Sequence, residues 1–157
     1  MKCLALLAAL ALPGIAQDEN PIRWSFADPA PRAPAAAGAT LKLRVQAEIT
    51  EGWHLYSLAP LEGGPIPTKI WLPEGQPFTL VGAVDAPPPR VVHDPNFDMQ
   101  VGYYDGDPVF TLRVKTAPDA PQGKHTLKVN ARYQACNDNL CLPPKTVPLE
   151  MTIEVKK

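Results

Sequence analysis

From Thr40 onward, apolar and polar residues alternate. Leu41, Leu43, Val45, Ala47 and Ile49 take every second position, with Lys42, Arg44, Gln46 and Glu48 between them. A period of two places the apolar set on one face, so this stretch is predicted as a half-buried strand that ends at a Glu51-Gly52 turn. The same pattern returns twice near the end of the chain. Leu127, Val129, Ala131 and Tyr133 alternate with polar neighbours, and so do Val147, Leu149, Met151, Ile153 and Val155. Shorter strand candidates cover 68–72, 78–84 and 109–114.

GWHLYS, residues 52–57, follows the first turn. Trp53, Leu55 and Ser57 fall on one face and His54, Tyr56 and Leu58 on the other, which suits a short strand covered on both sides. Residues 84–108, VDAPPPRVVHDPNFDMQVGYYDGDP, read as a long irregular connection ending in a turn at Asp105-Gly106. A connection of that length inside a compact domain is usually functional or mobile.

Twenty prolines and ten glycines are spread through the chain. They disfavour long helices and favour short strands joined by turns. About seven or eight such strands with no fixed repeat point to an all-β fold, an immunoglobulin-like antiparallel β-sandwich, with a closed barrel as the alternative. The domain is expected over 40–157. Residues 17–39, including PAPRAPAAAG, read as an extended lead-in that Trp24 and Phe26 could anchor.

Residues 1–16 have the form of a secretory signal: Lys2, an apolar run from Cys3 to Leu12, and small residues Gly14 and Ala16 at a cleavage position. The mature chain is expected outside the cytoplasm, periplasmic or secreted. No later stretch approaches the roughly 20 apolar residues of a spanning helix. Loss of Lys2 takes the net charge from −1 to −2, without any block of like charge. Nucleic acid and anionic membrane are therefore poor partners, and a monomer is expected.

Cleavage also removes Cys3 and leaves Cys136 and Cys141, which bracket Asn-Asp-Asn-Leu in YQACNDNLCLPP. In an oxidising compartment the two pair if geometry permits. Closing a loop of about six residues stabilises by roughly 2 kcal/mol, against nearer 5 for about 100 residues, so the bond is a weak staple. Accessible short disulfides are suited to exchange: a partner thiolate attacks one sulfur and the second cysteine resolves the mixed disulfide. On spacing alone, a structural disulfide closing a hairpin is the commoner case. A metal site has less support, since His93, Met99 and His125 show no ligand spacing relative to the cysteines. No cofactor is implied, and no serine, histidine and carboxylate grouping suggests a hydrolase.

YQACNDNLCLPP followed by KTVPL, with GWHLYS upstream and HDPNF in the long connection, resembles the amino-terminal periplasmic domain of the DsbD thiol:disulfide interchange protein family. The resemblance spans roughly residues 40–155. It implies an immunoglobulin-like sandwich whose cysteine pair, here Cys136 and Cys141, accepts electrons from a thioredoxin-like domain and passes them to periplasmic oxidoreductases. It also implies an aromatic cap over the disulfide, for which Phe97 holds the matching position. Tyr56 and His54 match positions near the family's active site; a ring placed there could support the loop, and an imidazole could influence thiol ionisation. Asp94, Asn96 and Tyr133 complete the expected surround. Taken as bare residues, Phe97 also reads as a core aromatic, and Tyr56 and His54 read more readily as packing or surface residues.

This sequence departs from the family pattern in three ways. The cysteines are closer together than in the best-known members. Pro95 and Asn96 stand where acidic residues flank the cap aromatic, with Asp94 and Asp98 close by. The chain stops at Lys157, with no transmembrane or thioredoxin-like domain, so a separate membrane reductant is expected. By analogy Cys141 meets the incoming thiol and Cys136 resolves. Asp138 would raise thiol pKa values if its carboxylate came near. The expected function is relay of reducing equivalents between thioredoxin-fold partners, a protein-disulfide reductase role. The alternative is a non-enzymatic immunoglobulin-like binding module with a structural disulfide.

Overall fold

The computed structural model describes residues 20–157. The expected signal, residues 1–16 with Cys3, and the first residues of the lead-in lie outside the described residues. Twelve strands run in chain order: β1 (Ile22–Phe26), β2 (Ala35–Ala36), β3 (Thr40–Ile49), β4 (His54–Tyr56), β5 (Lys69–Trp71), β6 (Phe78–Leu80), β7 (Arg90–Asp94), β8 (Met99–Tyr104), β9 (Val109–Thr116), β10 (Gly123–Tyr133), β11 (Ala135–Cys136) and β12 (Lys145–Lys156). No helix occurs among the described residues.

The strands form three four-stranded sheets, ordered β1-β3-β9-β6, β2-β12-β10-β5 and β11-β4-β8-β7. All pairings are antiparallel except the short β2–β12 contact. The alternation in β3, β10 and β12 is matched by their burial. Val45 on β3, Leu127 and Val129 on β10, and Val155 on β12 are almost wholly buried, and the charged residues between them face water. The apolar faces of the first two sheets meet in one core around Val45, Phe110, Leu112, Leu127, Val129 and Ile153. The result is an immunoglobulin-like antiparallel β-sandwich rather than a closed barrel. Gly52 (φ 82°) and Gly106 (φ 72°) make the turns before β4 and β9, positions where a Cβ is strained.

Two sequence expectations change. Part of the lead-in belongs to the sandwich: β1 pairs residue for residue with β3, from Ile22↔Ile49 to Phe26↔Val45, and Ile22 has no exposed surface. Ile22 and Trp24 alternate with Arg23 and Ser25, a pattern too short to stand out beside the proline and alanine that follow. Trp24 packs on Phe110 and Tyr133, with ring centroids 5.6 and 5.7 Å apart. The second change lies in residues 84–108, which contain the β7–β8 hairpin rather than a wholly irregular connection. Prolines 87–89 and Pro95 interrupt the local pattern, yet they sit outside the paired segments. The candidate at 78–84 shortens to β6, and Asp85 continues as an isolated bridge to Thr111.

Candidate functional site: a disulfide beneath a hairpin loop

Register in the third sheet decides which side chains share a face. His54 stands opposite Cys136, Leu55 opposite both Ala135 and Tyr104, and Tyr56 opposite Tyr103. Directly opposed residues share a face and successive residues alternate. One face therefore gives Leu55, Ala135 and Tyr104 to the main core. The other carries Cys136, His54, Tyr56 and Tyr103, extended across β8 and β7 by the pairs Val101↔Val92 and Met99↔Asp94. Tyr56, Val101 and Cys136 form a second, smaller buried cluster, against which Val92, Phe97, Met99, Tyr103 and Cys141 pack.

Cys136 and Cys141 are disulfide-bonded, with Cα atoms 4.1 Å apart. The loop between them is shaped by its own polar groups. Asn137 Oδ1 accepts from the backbone N–H of Asn139 and of Leu140, both at 2.9 Å, and Asn137 N–H donates to the Leu140 carbonyl. A short asparagine side chain thus replaces the backbone partners that a tight turn lacks. The two sulfurs differ in access: Cys136 is fully buried, whereas Cys141 is half-buried.

The β7–β8 hairpin reaches the cysteine cluster through a four-residue loop, Pro95 to Asp98. Asp98 holds the left-handed conformation (φ 51°) that the reversal requires, and an aspartate tolerates it better than most residues. Asp94 Oδ1 accepts the Asn96 N–H at 2.7 Å, which fixes the start of the loop. Phe97, at the tip, meets Tyr56 edge to face with centroids 5.8 Å apart. Asn96 Nδ2 donates to the Asn137 carbonyl at 3.1 Å, joining the hairpin to the cysteine loop.

Behind the disulfide lies a polar group of three. The Tyr56 hydroxyl donates to Asp94 Oδ2 at 2.8 Å and lies 3.9 Å from Cys141 Sγ. His54 Nε2 is 3.9 Å from the same carboxylate oxygen, is buried, and makes no hydrogen bond. The imidazole packs on Tyr103 at 4.6 Å and edge-on to Tyr56 at 5.2 Å. Burial, reinforced by the Asp94 hydrogen bond and charge, pushes the Tyr56 hydroxyl far above its ordinary pKa, so it remains protonated. Burial also lowers the His54 pKa, against the opposing charges of Asp94, Asp138 and Asp105. A cleft of about 200 Å³ opens beside this group, lined by His54, Val92, His93, Asp94, Pro95, Tyr103 and Asp138.

Of the residues expected at the site, Cys136, Cys141, Phe97, Tyr56, His54, Asp94 and Asn96 come together. Tyr133 does not join that cluster. It lies in the main core, 1% exposed, and its hydroxyl donates to Asn20 Oδ1 at 2.8 Å, because the face of β10 that carries it points into the sandwich. Asp138 is exposed on the cysteine loop and faces the cleft. Sequence reasoning passed over Tyr103 and the Asn137 carbonyl. The alternation of Met99, Val101 and Tyr103 carried a signal for the first, while nothing local marks the second. Among the described residues no group of three or more His, Cys, Asp or Glu side chains is arranged to hold a metal.

Residues 26–152 match the family described as thiol:disulfide interchange protein DsbD, N-terminal. The chain belongs to this family. The DsbD N-terminal domain of Neisseria meningitidis, a crystal structure in the reduced form, is similar in fold: TM-score 0.52 and 15% identity over 78% of this chain and 82% of that one. AggA, the major subunit of aggregative adherence fimbriae type I from Escherichia coli, covers 87% of this chain and 95% of its own at 10% identity. Its TM-score of 0.37 is too loose to bear on fold or function. No curated protein matches by sequence. Family membership carries thiol–disulfide interchange as the general chemistry, and the family is periplasmic and interacts with thioredoxin-fold proteins. No helix among the described residues is long and apolar enough to cross a membrane.

Proposed function

We propose that this domain relays reducing equivalents between thioredoxin-fold partners through the Cys136–Cys141 couple, receiving them from a membrane reductant. The observation that carries the reading is the asymmetry of the two sulfurs. Cys141 has surface beside the loop that bears Phe97, and Cys136 has none. An incoming thiolate attacks Cys141 Sγ and expels Cys136, and the donor's second thiolate then releases Cys141; in the onward step Cys141 attacks the acceptor's disulfide and Cys136 resolves that mixed disulfide. Phe97, packed in the same cluster as both cysteines, shields the bond from stray thiols and moves aside when a partner docks. A signal removed on export and a monomeric mature domain complete this reading.

The deciding measurement is the reduction potential of the couple, from equilibration with glutathione buffers and trapping of free thiols. A value of roughly −180 to −270 mV fits a carrier, and one below about −300 mV fits a structural bond in a binding module. In the carrier case, Cys136→Ser, with Cys141 free, forms a mixed disulfide with the disulfide form of a thioredoxin-fold partner, and Cys141→Ser does not.

A further inference from the structure

Expelling Cys136 as a thiolate places a negative charge at a position with no exposed surface, against Tyr56 and Val101. Such a charge is costly without a counter-charge. The side chain directly across the strand pair from Cys136 is His54. Its ring is only 12% exposed, and its Nε2 is buried without a hydrogen bond, 3.9 Å from Asp94 Oδ2. A neutral imidazole is tolerated there, and a protonated one gains a carboxylate on one side and a leaving sulfur on its own face of the sheet.

We propose that His54 is the proton-accepting charge partner of Cys136, neutral while the disulfide stands and protonated when Cys136 leaves as thiolate. This rests on the exchange function above and assigns a positioning residue to it. In the first step the partner's thiolate attacks Cys141 Sγ, an intermolecular S–S bond forms, and the Cys136–Cys141 bond breaks with its electron pair on Cys136 Sγ. Water in the cleft beside His54 delivers a proton to the imidazole. The partner's second thiolate then breaks the mixed disulfide and leaves the partner oxidised, and Cys141 takes a proton as it departs. The two protons lost by the partner's thiols equal the two gained by His54 and Cys141.

The groups facing His54 set the balance. Asp94, His93 and Arg90 come from β7, Tyr103 from β8, Asp105, ion-paired with Arg90, from the turn after it, Asp138 from the cysteine loop and Tyr56 from β4. With the disulfide closed, burial outweighs these carboxylates and holds the imidazole below its ordinary value of 6.5. One more negative charge on the same face, the thiolate, reverses that order. By reciprocity, His54 in its charged form favours the thiolate of Cys136 to the same extent.

NMR titration of the full chain tests this, with the His54 resonance assigned by His54→Gln. The midpoint is expected to rise by about one pH unit or more on reduction, a tenfold gain in proton affinity, and to stay low in Cys136→Ser. Equal midpoints in the oxidised and reduced wild-type chain overturn the proposal, and so does a rise that persists in Cys136→Ser. Exchange with a thioredoxin-fold dithiol is measured separately. Exchange without the midpoint shift removes the His54 role alone, whereas the shift without exchange leaves the charge pair standing and removes the proposed relay.

Discussion

Asn96 donates its side-chain amide to the backbone carbonyl of Asn137, so the hairpin loop and the cysteine loop are joined by a polar link as well as by the contacts of Phe97. The link is solvent-exposed and therefore weak enough to break when a partner docks. One such hydrogen bond contributes about 0.5–1.5 kcal/mol. Asn96→Ala is expected to speed reduction of the disulfide by dithiothreitol about two- to tenfold. Phe97→Ala is expected to speed it further. Stopped-flow reduction at fixed pH, followed by thiol trapping, gives both rates. Rates unchanged in both variants would show that the loop does not limit access.

Asp94 ties the loop to the interior, because one oxygen accepts Asn96 N–H and the other accepts Tyr56 O–H. Both are charge-assisted bonds to a carboxylate that is 2% exposed. Asp94→Ala leaves the buried Tyr56 hydroxyl without that acceptor and is expected to cost about 2–4 kcal/mol. Urea unfolding of the oxidised chain measures the loss, and disulfide reduction should become faster in the same variant. Tyr56→Phe should cost less, since it removes one of the two bonds.

The depressed pKa of His54 gives the oxidised protein a pH dependence of definite sign. The unfolded chain binds a proton near the ordinary 6.5, while the folded chain resists it to lower pH. This contribution to stability is full above about 6.5 and declines as the pH falls from there through the folded pKa. Below both values it is gone. His54→Gln is expected to flatten that segment of the stability profile, measured by urea midpoints between about pH 5 and 8. A profile with the same slope in the variant would place the titration elsewhere.

The status of β1 is testable by truncating one side chain. Ile22 is fully buried in the main core, with its backbone in register opposite Ile49. Ile22→Ala is expected to destabilise the domain by about 2–5 kcal/mol, the range for a large aliphatic side chain removed from a packed interior. An effect within about 0.5 kcal/mol, as for surface substitutions, would mean that this segment lies outside the cooperative fold.

Residues whose environment is set by their immediate neighbours were legible in the sequence. The alternation in β3, β10 and β12 specified strands and their buried faces, since a period-two pattern has one stable solution when one side must leave water. Glu51-Gly52 and Asp105-Gly106 marked turns through the backbone freedom of glycine, and YQACNDNLCLPP marked the cysteine loop. Three outcomes needed the tertiary structure. Ile22 and Trp24 became core because β3 offered a free edge that their short pattern could not announce. The β7–β8 hairpin formed through cross-strand bonds between residues separated by a proline-bearing loop, a pairing that local propensity does not encode. The grouping of Cys136, His54, Tyr56 and Asp94 arose from registers between strands far apart in the chain, and a one-residue slip would have turned His54 to the opposite face. The register of β10 against β12 likewise sent Tyr133 inward to Trp24 rather than to the disulfide. Chemical identity was therefore written in the order of residues, while which of them share a face was decided by how the strands pair.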